Sequence, residues 1–118
     1  MKEVGSAAMA FAVALFLTAH VLGFFQLNLK FIYPELSSKA LYIACAFSLP
    51  MTLLFYYGWT YSMESSSSAW TSRFISFGVS YLVFPILTSI FLGEGFFNAK
   101  TIICIILSML ILYIQLFY

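Results

Sequence analysis

The chain has 118 residues, of which 64% are hydrophobic and 8% charged, against roughly 45–50% and about 25% in ordinary soluble domains. A soluble fold has too little polar surface to cover that much apolar area, and a chain of this length leaves no room for a separate soluble domain. A net charge of +1 supplies no basic patch or stripe, so no nucleic-acid partner is expected.

The formal charges fall at Lys2, Glu3, Lys30, Glu35, Lys39, Glu64, Arg73, Glu94 and Lys100. Between them lie uncharged apolar blocks at roughly 4–29, 40–59, 74–92 and 101–118, each near the length of about 20 residues that a helix needs to cross a bilayer. Unpaired backbone is forbidden in hydrocarbon and no alternating pattern suggests a barrel, so the fold class is all-α: one domain of four transmembrane helices in a compact bundle with short hairpin connectors. Block 1 is longer than the roughly 7–15 residues of a secretory signal core, and Leu17-Thr18-Ala19 makes a poor cleavage site. It is expected to be a retained span.

Span 1 carries a small-residue stripe, Ser6, Ala10, Ala14 and Thr18. It also holds His20, the one side chain within a span that titrates near neutral pH, with Gly23 three residues on and Gln26 nearby. An ionisable group inside a membrane is a functional candidate by default, because its charge is costly to bury. Connector 1, Asn28 to Lys39, contains Tyr33, Pro34, Ser37 and Ser38, and Ser37 or Ser38 is expected to cap span 2. Span 2 carries Ala40, Ala44, Ser48 and Thr52 at helical spacing. Pro50 inside it removes a backbone hydrogen bond and predicts a kink with a freed carbonyl near Ala46.

Connector 2 is expected over Thr60 to Arg73, with the serine run at 65–68 as flexible chain and Trp59, Tyr61 and Trp70 marking the headgroup level. Thr71 or Ser72 is expected to cap span 3. Span 3 carries Ser72, Ser76 and Ser80, followed by Tyr81, and Pro85 predicts a second kink near Tyr81. Connector 3, Gly93 to Lys100, sets Glu94 between two glycines, where a carboxylate complements the start of the next helix, and Asn98 is expected to cap span 4. Span 4 carries Thr101, Cys104, Ser108 and Gln115. Hydroxyl and small-residue stripes have two readings that stand open at this stage, close helix packing or a weakly polar path between helices.

Cys45 and Cys104 lie within spans and form no CxxC or Cys/His pattern, so no metal or cofactor is expected. No nucleophile with a paired base, carboxylate pair or phosphate-binding glycine loop is present, and the chain is expected not to be an enzyme. Lys2 and Arg73 on one side balance Lys30, Lys39 and Lys100 on the other almost evenly. The small excess places connectors 1 and 3 in the cytoplasm; the near balance also suits a chain that inserts both ways.

The stretch FPILTSIFLGEGFFNAKTIICIILSMLILYIQ, Phe84 to Gln115, resembles the closing helical hairpin of the drug/metabolite transporter superfamily. Length and span count resemble its smallest members, the four-helix small multidrug resistance type. The family's glutamate in the first helix has no counterpart between Val4 and Leu29, and the glycines of its last helix are absent from Thr101 to Tyr118. The resemblance implies a transporter-like protein of the cell (inner) membrane, moving a small neutral or weakly polar solute by alternating access within an antiparallel homodimer. The substrate-pathway candidates are His20, Ser48, Thr52, Ser76, Ser80 and Tyr81, with Pro50 and Pro85 as hinges and Glu94 as a turn carboxylate. The alternative is a non-transporting membrane subunit that stabilises or assembles a larger complex.

Overall fold

A computed structural model describes residues 6–95 and 98–118. Lys2, Glu3 and the expected start of span 1 at Val4 lie outside the described residues, as does the side chain of Ser6. The protein is an all-α, four-helix bundle: α1 (Ser6–Ile32), α2 (Ala40–Ser66), α3 (Ala69–Leu87) and α4 (Ala99–Phe117). A short 3₁₀ turn, Pro34–Leu36, precedes α2, and α3 widens into a π-turn, Thr88–Leu92. All four helices are long and apolar enough to span a membrane, which makes this an integral, multi-pass membrane protein.

The helices form two hairpins, α1–α2 and α3–α4, joined chiefly by α1 against α3. α2 and α3 meet less extensively. The molecule measures 51 × 36 × 18 Å. Its buried core is one cluster of Met9, Ala12 and Phe16 from α1 with Ile75, Val79 and Val83 from α3. A second, aromatic contact lies further along the same pair, with Phe24 edge-on to Phe84 at 5.7 Å and Phe25 edge-on to Phe91 at 5.0 Å. Lipid tails are as apolar as these side chains, so close packing and cross-helix hydrogen bonds hold such helices together more than burial does.

Two glycines set the closeness. A Cβ on Gly58 would lie 2.9 Å from Cε1 of Phe16, and one on Gly78 would lie 2.8 Å from Cγ of Leu112. The bare backbones let α1 approach α2 and α4 approach α3.

Several expected boundaries shift. The sequence predicts connector 2 over Thr60 to Arg73, but α2 runs on to Ser66 and α3 begins at Ala69, leaving Ser67 and Ser68 between them. The serine run is ordered. Ser66 returns its hydroxyl to the Ser62 carbonyl at 2.9 Å, Ser67 turns the chain at φ 57° with its N–H on the Met63 carbonyl, and Ser68 caps α3 by accepting from Thr71 N–H at 3.1 Å. Serine hydroxyls that bond back to the preceding turn let a polar run stay helical. The cap of α3 is therefore Ser68, not Thr71 or Ser72.

At α2 neither Ser37 nor Ser38 is the cap: Lys39 holds that position without a side-chain bond. Backbone pairs Ser37 N–H to Pro34 O, Lys39 N–H to Leu36 O and Ile43 N–H to Lys39 O wind the 3₁₀ turn directly into the helix. Asn98 does cap α4, its Oδ1 accepting from Thr101 N–H at 2.9 Å. The stripe on α1 faces outward, since Ala10, Ala14 and Thr18 are exposed while Met9, Ala12, Phe16 and Ala19 are buried. α1 has neighbours on two sides, and the faces turned to them carry Ala12 and Ala19 as well as Met9 and Phe16.

Candidate functional site

His20 lies midway along α1, where it faces α2 and α3. Its Nε2 is 3.0 Å from the Ser76 carbonyl oxygen, and its ring is edge-on to Phe55 at 5.2 Å. A carbonyl oxygen only accepts, so Nε2 carries the proton and donates, which leaves Nδ1 as an acceptor. This bond ties α1 to α3 through backbone, with Ser76 contributing its main chain.

A cavity of about 490 Å³ opens beside this pair. Phe16 and His20 of α1, Phe55 and Trp59 of α2, and Arg73, Ser76 and Phe77 of α3 line it. Thus three helices contribute, and the cavity reaches from mid-helix toward the α2–α3 turn. The Arg73 guanidinium lies over the Phe77 ring at 5.1 Å, an i to i+4 contact along α3.

The remaining candidates are distributed. Ser48 sits with Gln26: the Gln26 amide donates to the Ala44 carbonyl at 2.9 Å and to Ser48 Oγ at 3.2 Å, a clamp between α1 and α2 on the other side of His20. Gly23 lies on the same α1–α2 contact, where a Cβ would come within 3.2 Å of the Met51 side chain. Thr52 and Pro50 are exposed on α2, which is one continuous helix through Pro50. Ser80 is half-buried on α3, one turn beyond Ser76.

Tyr81, Pro85 and Glu94 line a second cavity, of about 370 Å³, between α3 and α4 at the opposite end of the bundle. Thr88, Lys100, Thr101 and Cys104 join them there. Just past Pro85 the ladder loosens, the Thr88 N–H being shared between the Phe84 and Pro85 carbonyls before the π-turn. Proline's missing donor displaces the pairing, and π-turns in spanning helices mark places where the backbone can rearrange. Among the described residues, no three His, Cys, Asp or Glu side chains converge as metal ligands would.

The structure therefore brings His20 and Ser76 together, and Tyr81, Pro85 and Glu94 together, in separate cavities. Arg73, Trp59 and Phe55 complete the first and were not candidates from sequence. One signal did exist: Arg73 lies three residues before Ser76, hence on its face of the helix. Nor does sequence reveal the buried pair Ser62 and Ser72, whose hydroxyls meet at 2.7 Å.

No protein-family model matches the chain, and comparison with curated proteins and with solved structures also gives no match.

Proposed function

We propose that this protein is a transporter-like membrane protein that carries a small solute across the cell (inner) membrane by alternating access, as an antiparallel homodimer. The observation that carries the reading is the cavity among α1, α2 and α3 with the His20 imidazole bonded across it to the Ser76 carbonyl. A polar, ionisable side chain kept beside a cavity within spanning helices is what solute pathways require, and a purely lipid-facing bundle has no use for it. The loosened backbone after Pro85 supports the motion that alternating access needs, because α3 can flex there without breaking the pairing that packs it on α1. A dimer supplies the rest of the enclosure, since the cavity is open on one flank and α2 and α4 present unpartnered faces.

The test is flux. The full chain is reconstituted into liposomes and uptake of a radiolabelled panel spanning neutral, cationic and anionic small solutes is measured. At least one solute enters faster than into protein-free vesicles, and His20→Ala lowers that uptake by about fivefold or more, the worth of one hydrogen bond lost at the site. Uptake equal to protein-free vesicles across the whole panel overturns the transporter reading in favour of an assembly subunit.

A further inference from the structure

The cavity beside His20 adjoins another, of about 410 Å³, at the α2–α3 turn. Trp59 and Arg73 line both. The second is otherwise formed by Ala69 and Trp70, and the Trp70 ring stacks on Phe74 at 5.8 Å with an interplanar angle of 22°. Arg73 thus stands where two cavities meet, with Trp59 lining both and Trp70 lining the second.

Charge and wall chemistry select the ligand. No acidic side chain lines either cavity among the described residues, so nothing there neutralises the guanidinium from within. Beyond Arg73 and Trp59 the larger cavity is walled by the rings of Phe16, Phe55 and Phe77, with Ser76 and His20 as its remaining polar lining. Arginine is less strongly hydrated than lysine and offers a planar fork that matches carboxylate or phosphate oxygens two at a time. Tryptophan beside it holds the site at headgroup depth, where one end of a ligand is wet and the other apolar.

We propose that this double cavity binds an amphipathic anion, a carboxylate or phosphate headgroup on Arg73 with its apolar chain lying against Phe16, Phe55 and Phe77. This rests on the transporter reading for its role as substrate and replaces a neutral or weakly polar solute with a charged, chain-bearing one. The headgroup sits between Trp59 and Trp70, and the chain runs inward toward His20, whose acceptor nitrogen makes no demand for a second anion. The same chemistry comes from two sources, a single-chain acid or an anionic phospholipid of the surrounding bilayer.

Trp59 and Trp70 are the chain's two tryptophans and both line the proposed site, so their fluorescence reads it directly. Purified full-length protein in a neutral maltoside detergent is titrated with 9,10-dibromostearate, dibromo-phosphatidylglycerol and dibromo-phosphatidylcholine, whose bromines quench nearby indoles. Saturable quenching by dibromostearate, reversed by dodecyl phosphate and at least about tenfold tighter than by the phosphatidylcholine, is expected for a charge-assisted bond to Arg73. Arg73→Gln removes that preference, Arg73→Lys retains part of it, and Lys39→Gln, at the other end of the bundle, leaves it unchanged. Preference for dibromostearate over the phosphatidylglycerol identifies a single-chain acid, and the reverse order a bilayer lipid; both sustain the site.

Equal quenching by anionic and zwitterionic probes, or an unaltered preference in Arg73→Gln, overturns it. Liposome uptake separates the two readings. Anion binding without flux of any solute removes the transporter and leaves the site, whereas flux of an uncharged solute without anion binding removes the site and leaves the transporter.

Discussion

Ser62 and Ser72, both fully buried, form a directed chain at the α2–α3 turn: Ser62 Oγ donates to Ser72 Oγ at 2.7 Å, and Ser72 Oγ donates to the Ser68 carbonyl at 3.1 Å. The two positions are therefore unequal. Ser62→Ala leaves Ser72 with its carbonyl acceptor, while Ser72→Ala removes both bonds and strands a buried hydroxyl. Ser62→Ala is expected to cost about 1 kcal/mol and Ser72→Ala about 2 kcal/mol, with the double variant well short of the sum. Equilibrium unfolding in mixed micelles measures this, and a larger loss for Ser62→Ala would reverse the assigned direction of the chain. His20, too, depends on a single bond, 3.0 Å from Nε2 to the Ser76 oxygen. Its partner is a main-chain oxygen, and no residue type in a sequence advertises a carbonyl.

At the scale of elements, the α1–α2 hairpin depends on a ring lying against bare backbone. Phe16 is 1% exposed, and its ring lies so close to Gly58 that a methyl group there forces it to shift. Gly58→Ala is expected to destabilise the bundle by about 1–3 kcal/mol through overpacking, and Phe16→Leu in the same chain to recover part of that loss. Thermal unfolding in detergent checks both, and a Gly58→Ala variant as stable as the parent would remove Gly58 from the contact. Helix number and order were readable from the uncharged blocks, because hydrocarbon thickness sets a length and tolerates few charges. The ends of α2 and α3 were not, since a serine is as consistent with a connector as with a helix that borrows its hydroxyls. Nor was the facing of α1, whose small stripe at Ala10, Ala14 and Thr18 has the spacing of a packing seam yet lies exposed. Periodicity finds a face and cannot say which neighbour, if any, occupies it. For the same reason Ser48, Thr52, Ser76 and Ser80 looked alike as candidates, while only Ser76 lines the cavity with His20.

For the whole molecule, the proposed antiparallel dimer makes an orientation prediction. Reporters fused after Tyr118 should give comparable signals from both sides of the membrane, because the Lys and Arg balance is nearly even. Adding three lysines to the α2–α3 turn should push the population to one orientation and lower flux. A single orientation in the parent chain would rule out the antiparallel dimer. Leu41, Tyr42 and Leu49 on α2, and Ile103, Leu107 and Phe117 on α4, are exposed, and the proposed dimer would divide such surfaces between a second copy and lipid. A slab only 18 Å through its thinnest dimension has little interior to call its own, so most side chains on its broad faces border acyl chains. Lipid then plays for this protein the part that water and salt play for a soluble one: changing chain length or headgroup alters its solvent, and with it the balance among the shapes it can adopt.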